Sequence, residues 1–361
     1  MKIGIDISQI VYDTGVSWYT YNLVKNLLEV DTKDEFILFA GVLKRKGDLR
    51  LKVSDFSGNF QTKVLPIPPV AADFIWNKLH VLPIEGFIGK VDVFHSSDWT
   101  QPGSKAFKVT TIHDLSPLIF PETAAKDGLR DVAKTHSSRF GWVKKEVDRV
   151  IAVSESTKKD VVKYLGIPED KITVIYEAPD AVYTKRTEAE VDKVKVKYNI
   201  SGRYLLCVGS GERKNHDRIF KAYETLGRKD LAMVVASHAQ PNLPKSVIHV
   251  QSPTREELAC LYSGASALIY SSLYEGFGLP ILEAFACGCP VVTSNISSMP
   301  EVAGEAAVLV DPKSSDSIRE GISKSLEDSQ LLIRRGEERV KDFSWEKVAG
   351  ETLKVYRRET V

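Results

Sequence analysis

Only four cysteines occur in the 361 residues, and none of them forms a CxxC pair. Cys207, Cys260, Cys287 and Cys289 sit among apolar or small residues in the C-terminal half. This pattern argues against a disulfide scaffold or a zinc ribbon and fits buried free thiols in a reducing compartment. Net charge is also nearly absent: 49 Lys and Arg against 48 Asp and Glu leave +1. No global field therefore gathers nucleic acid or an anionic membrane, and no nucleic-acid partner is expected. No run approaches the roughly 20 apolar residues that span a bilayer. The opening Met1-Lys2-Ile3-Gly4-Ile5-Asp6-Ile7 is too short and too polar for a signal peptide, so a cytoplasmic protein is expected, touching a membrane only at its surface. Repeats of 20–50 residues and low-complexity tracts are missing as well.

What is present is an ordinary globular composition, 43% hydrophobic and 27% charged, in a chain long enough for two cores. Short apolar runs at 2–7, 36–40, 91–95, 109–113 and 150–153 read as strands. A second series lies at 204–208, 231–236, 247–250, 267–270 and 291–293. Amphipathic segments at 18–28, 156–165, 217–226, 255–263 and 316–326 lie between them. Near-continuous apolar strands alternating with helices imply an α/β protein with parallel sheets covered on both faces. Two series imply two Rossmann-like, doubly wound domains facing each other across a cleft. A charged stretch over 178–202 suggests the boundary, giving an N-terminal domain over 1–185 and a C-terminal domain over 186–343. The closing segment reads as a helix capped by Ser344.

Ligands of doubly wound sheets bind at the carboxyl ends of the strands, so the residues just past each strand matter most. After the run ending at Tyr270 comes Ser271-Ser272-Leu273-Tyr274-Glu275-Gly276-Phe277-Gly278-Leu279-Pro280, leading to Glu283. The glycines let a ligand approach the backbone, and the helix opening near Pro280 offers amides and partial positive charge to a phosphate. Glu283, expected in the first turn, could hold a ribose diol, and Glu275 in the loop could meet a sugar. Taken alone, the string has a plainer meaning, in which the glycines shape a turn and Glu283 complements the helix dipole.

The whole string, continuing into Ala286-Cys287-Gly288-Cys289-Pro290-Val291-Val292, resembles the donor-binding signature of family-4 retaining glycosyltransferases. The resemblance implies the GT-B fold, with the C-terminal helix over 344–361 crossing back to the N-terminal domain. Gly209-Ser210-Gly211-Glu212-Arg213-Lys214-Asn215-His216 looks like that family's cationic loop, in which Arg213 and Lys214 would neutralise the departing diphosphate. Many relatives have an arginine directly after the first glycine; here Ser210 stands there. Thr111-Ile112-His113-Asp114-Leu115 resembles the active-site histidine segment, with His113 oriented by Asp114 or by backbone. Asp13-Thr14-Gly15-Val16 resembles the glycine loop facing the diphosphate, with Gly15 alone where relatives often have two glycines. Asp98, in His95-Ser96-Ser97-Asp98-Trp99, lies at the same rim and is a candidate for the acceptor side, as is Asp114.

The implied reaction is transfer of a hexosyl group from a nucleotide-sugar donor to a hydroxyl of a glycan or lipid-linked acceptor, with retention. The implied catalytic set is His113, Arg213, Lys214 and Glu275; Gly15, Gly209, Phe277, Gly278, Leu279 and Glu283 would bind the donor. The texture around residues 111–117 looks most like mannosyltransferases using GDP-mannose, with UDP-glucose and UDP-N-acetylglucosamine as alternatives. Asp-x-Asp is absent and the seven histidines lack ligand spacing, so no metal and no cofactor are expected. Two basic clusters, Lys44-Arg45-Lys46 with Arg50 and Lys52, and Arg139 with Lys144 and Lys145, could meet lipid headgroups or simply face solvent.

Overall fold

A computed structural model describes residues 1–121, 130–238 and 243–361. It divides into two compact units, Met1–Glu177 with Ser344–Val361, and Ala178–Phe343. The division falls a little before the expected 185/186. The stretch 178–185 is tied to the second unit by Tyr183, edge-on to Tyr262 at 6.0 Å, and by the ion pair of Asp180 with Arg255.

The first unit is built on seven parallel strands: β1 (Lys2–Asp6), β2 (Glu35–Gly41), β3 (Phe60–Leu65), β4 (Val93–Ser96), β5 (Phe107–Ile112), β6 (Arg149–Ala152) and β7 (Ile172–Val174). Their order across the sheet is β3-β2-β1-β4-β5-β6-β7. Ile3, Ile5, Phe36, Phe39 and Phe94 are buried, which is why these strands read as unbroken apolar runs rather than alternating ones. Helix α1 (Gly15–Val30) comes after β1 through a short 3-10 turn, with the Thr14 side chain capping its first turn.

Two strands of this sheet are not legible in the sequence. β3 is an edge strand whose Gln61, Thr62 and Lys63 are exposed, and β7 has three residues. Edge strands need neither a long nor a two-sided apolar run. Helix α2 (Arg130–Glu146) is equally hidden, because its sequence is polar although it buries Phe140 and Val143. It also buries Arg139 completely. Arg139 therefore faces neither lipid nor solvent, the two alternatives for the cluster it forms with Lys144 and Lys145.

The second unit has six parallel strands: β8 (Arg203–Val208), β9 (Leu231–Ser237), β10 (Val247–Gln251), β11 (Ala267–Tyr270), β12 (Val291–Ser294) and β13 (Val308–Val310). Their order is β10-β9-β8-β11-β12-β13. The helices that position the site are α3 (His216–Leu226), α4 (Arg255–Gly264) and α5 (Leu279–Ala286). Leu205, Cys207, Ile219, Val235, Ile269 and Val292 form the core beneath them. All four cysteines are buried and free. Burial alone pushes the Cys207 thiol up to about 12, so it packs as a small hydrophobe.

The chain then returns to the first unit as α6 (Trp345–Arg357), capped by Ser344, whose Oγ accepts from the Lys347 amide at 3.2 Å. Helix α6 lies on α1. Trp345 meets Tyr19 edge-on at 5.6 Å, and Arg357 reaches Asp31 at 2.7 Å and Asp34 at 3.2 Å. Among the described residues no helix is long and apolar enough to cross a membrane.

Candidate active site

Strand order reverses between β1 and β4 in the first sheet and between β8 and β11 in the second. At such a switch point the loops leaving the two neighbouring strands part to opposite faces and open a crevice for ligands. The sequence candidates fall on these loops. Gly15, Asp98 and His113 come after β1, β4 and β5; Gly209 to Lys214 come after β8, and Glu275 to Leu279 after β11.

In the second unit the two loops are laced together. The amide of Leu273 donates to the Arg213 carbonyl at 2.8 Å, and buried Asn215 donates through Nδ2 to the carbonyls of Ser271 (3.0 Å) and Pro312 (2.7 Å). This backbone frame holds Lys214, whose Nζ donates to Glu275 Oε1 at 2.7 Å and to the Tyr270 hydroxyl at 2.8 Å. Arg213 Nη1 donates to the Tyr274 carbonyl at 3.1 Å and lies 4.0 Å from Glu275 Oε2. Burial pushes the Glu275 carboxyl up, but Lys214 and Arg213 outweigh it and hold the group below its ordinary value. The result is an ionised carboxylate beside two fixed cations. Such a cluster can exchange partners with an incoming anion at little reorganisation cost.

Gly209 shows why this loop needs glycine. Its φ is +92°, and a Cβ there would stand 2.8 Å from Lys214 Cε. A Gly209→Ala variant should lose about 1–2 kcal/mol of stability to the left-handed backbone. Its activity should fall further than that implies, because the methyl moves the Lys214 side chain. Thermal melts and initial rates on the same preparation separate the two; equal losses would mean that Lys214 is not the functional target.

Helix α5 begins at Leu279 after Gly278, which caps it at φ +116°, with Pro280 in the first turn. In that turn Pro280 has no N–H to satisfy, and the Ile281 amide donates to the Gly278 carbonyl at 3.0 Å. The Phe277 carbonyl is instead taken by Ser298 Oγ at 2.6 Å, and the Glu275 backbone is clamped by Ser297. Glu283 lies beyond the first turn, contrary to expectation, so complementing the helix dipole is not its task. It accepts from the Tyr262 hydroxyl at 2.8 Å. Burial pushes its carboxyl up to about 7, against the opposing pull of Tyr262 and Arg255.

In the first unit, His113 Nδ1 lies 2.8 Å from Glu177 Oε1, and its ring meets Tyr19 edge-on at 4.5 Å. Burial pushes the imidazole down, but Glu177, helped by Asp98 and Asp114, outweighs it and leaves His113 above its ordinary value. The expected orienting role of Asp114 passes to Glu177: Asp114 Oδ1 is occupied by the amide and hydroxyl of Ser116, both at 2.7 Å. Asp98 accepts from Arg139 at 3.4 Å and lies 3.8 Å from His136. Asp98, His113, Gln9 and Thr111 line one small cavity. Gln9 also lines a larger one of about 420 Å³, walled by Tyr12, Val70, Trp76, Trp99 and Lys134. Gly15 opens α1, and a Cβ there would meet nothing within 4 Å.

Glu177, Tyr262 and the Ser297–Ser298 clamp lie outside the set that sequence reasoning reaches. One acidic residue after an apolar run, or one tyrosine in a helix, carries no mark of its partner in a single sequence.

Two doubly wound parallel units and a returning C-terminal helix make up the GT-B architecture. The chain belongs to the group 1 glycosyltransferases: the family described as "Glycosyl transferases group 1" matches residues 190–341, and "Glycosyltransferase Family 4" matches residues 14–181. It is 29% identical to O-antigen chain mannosyltransferase B of Escherichia coli, over 99% of this chain and 100% of that protein. O-antigen chain mannosyltransferase RfbU of Salmonella typhimurium is 30% identical over 62% of each. Among solved structures, Anabaena HepE in complex with UDP-glucose shares the fold at a TM-score of 0.70, with 16% identity over 99% of this chain and 100% of that one.

Proposed function

We propose that this enzyme transfers mannose from GDP-mannose to a hydroxyl of a glycan or lipid-linked acceptor, with retention of configuration and without a metal ion. The observation that carries the reading is the Lys214–Glu275–Arg213 cluster at the β8/β11 switch point. A departing nucleoside diphosphate accumulates negative charge, and two preset cations stabilise it where other enzymes use a divalent ion. Arg213 can grip two phosphate oxygens, while Lys214 acts as a point charge. Glu283 would hold the ribose diol; Glu275 and the backbone at Phe277, Gly278 and Leu279 would hold the sugar, and His113 would contact it as well. Gly15 and Gly209 would let the diphosphate come close to the backbone.

Among the described residues no side chain stands out as a covalent nucleophile, so the acceptor hydroxyl attacks on the leaving-group side and the departing phosphate takes its proton. The apolar and aromatic cavity beside Gln9 supports an acceptor role for the first unit, and Asp98 lines the small cavity that shares Gln9 with it. The two relatives named as O-antigen mannosyltransferases favour mannose, and so a GDP-linked donor; they also favour polysaccharide assembly, at which the enzyme would work from the cytoplasm, touching the membrane peripherally. HepE, solved with UDP-glucose, keeps UDP as the alternative.

A thermal-shift panel with GDP, UDP, ADP and their sugars, with and without EDTA, tests this directly. A ligand bound only by the folded protein raises Tm by mass action, by about 2.7 kcal/mol of stability at a hundred times Kd. The expected result is an EDTA-insensitive shift with GDP and GDP-mannose alone. A shift with UDP instead would overturn the donor, and loss of the shift with EDTA would overturn metal independence.

A further inference from the structure

We propose that Glu177 is a positioning residue for His113, fixing the ring through Nδ1 so that Nε2 carries a proton to donate to substrate oxygen. This rests on the reading of His113 as a sugar contact. A carboxylate can only accept, so the 2.8 Å contact with Glu177 Oε1 puts a proton on Nδ1. With that nitrogen committed, a neutral ring offers a bare Nε2 that accepts, and only the imidazolium donates from Nε2. Glu177 therefore decides which of the two faces the substrate.

The placement comes from the topology. His113 leaves β5 and Glu177 leaves β7, with β6 between them, so both emerge at the same carboxyl edge. Glu177 is 5% exposed and is the last residue before the chain passes to the second unit. Where the chain returns, α6 supports the ring through Tyr19: Trp345 packs on Tyr19, and Tyr19 on His113. Tyr356 meets His95 Nδ1 at 2.7 Å, His95 Nε2 meets Thr111 at 3.0 Å, and Thr111 meets the Tyr19 hydroxyl at 3.3 Å. Both passages of the chain between units thus bear on one imidazole.

The groups around it have distinct roles. Glu177, Asp98 and Asp114 favour the charged ring. Buried Arg139 is taken up by Asp98, Thr110 and the Ser97 carbonyl. Burial, with the charges of His113 and Arg139, pushes His95 down to about 3, so it stays neutral and does not titrate alongside His113. Burial also pushes the Tyr19 and Tyr356 hydroxyls up, away from the neutral range.

Glu177→Gln separates charge from orientation, because the amide carbonyl still accepts from Nδ1–H. In the parent, kcat/KM for transfer should fall on the alkaline side as His113 loses its proton. In Glu177→Gln that fall should move down by about one pH unit or more, since burial then acts with less opposition. Glu177→Asp should restore part of the shift. The His113 imidazole resonance, assigned by its loss in His113→Ala, should titrate lower in Glu177→Gln by the same amount, a readout independent of turnover. An unmoved titration and pH profile in a folded Glu177→Gln protein would overturn the proposal. Full activity in His113→Ala would overturn instead the reading of His113 on which it rests.

Discussion

Replacing Lys214 by alanine should lower kcat/KM for transfer by about 10²–10³-fold, the effect of removing one preset charge-stabilising donor from a water-poor site. Lys214 is the better placed of the two cations, since its Nζ is held from two sides by Glu275 and Tyr270. Arg213 spends a donor on the Tyr274 carbonyl and stays at 4.0 Å from Glu275. Arginine should not rescue position 214, because the lysine stem runs against Gly209, where even a methyl group would stand 2.8 Å from Cε. The same substitution leaves Glu275 with less opposing charge. Its carboxyl is held below its ordinary value in the parent, so it adds stability above the unfolded value of about 4.5. That contribution is lost as pH falls through the folded value. Acid melting of Lys214→Ala should therefore begin at higher pH than in the parent. Transfer within about threefold of the parent would mean that another group carries the leaving-group charge.

Glu283→Gln is expected to cost about 2–4 kcal/mol of donor affinity, roughly 30- to 1,000-fold in donor KM, from charged hydrogen bonds to a ribose diol. Free-protein stability should move the other way. The folded carboxyl titrates near 7 and the unfolded one near 4.5. The folded protein thus binds the proton more tightly, and the group's contribution is complete below about 4.5 and disappears as pH rises to about 7. Above pH 7 the parent holds an ionised carboxylate that burial disfavours, and the neutral amide should melt at the same temperature or higher. A variant that binds less donor yet melts no lower is the signature of a group kept for binding rather than for the fold. Melting curves across pH 5–8, with and without GDP-mannose, read both effects. An unchanged ligand-induced shift in the variant would remove Glu283 from the donor site.

The second unit's site is largely legible because its determinants are local in sequence. Gly209, Gly211 and Gly278 take positive φ, and such glycines after an apolar strand mark the loops, while the resemblance of the whole string, not the spacing, points to a ligand. The strands that position the loops also show plainly, since burial on both faces leaves an unbroken apolar run. Edge strands β3 and β7 and the polar helix α2 do not, because a one-sided or covered element needs no such run. Arg139 misleads for a related reason: a basic residue near two lysines reads as surface until its acceptors on Ser97, Asp98, Thr110 and Thr111 are seen.

By itself, the sequence determined that there are two doubly wound units, which loops carry the candidate groups, and which family they belong to. The units and loops are set at short range, where periodicity and turn chemistry leave a trace, whereas the family rests on the resemblance of whole strings. The tertiary structure decided the pairings: Glu177 with His113 across 64 positions, Lys214 with Glu275 across 61, and Tyr262 beneath Glu283. It also set which carboxylates stay charged, because that depends on strand order and burial, which bring distant loops to one edge and exclude water from them.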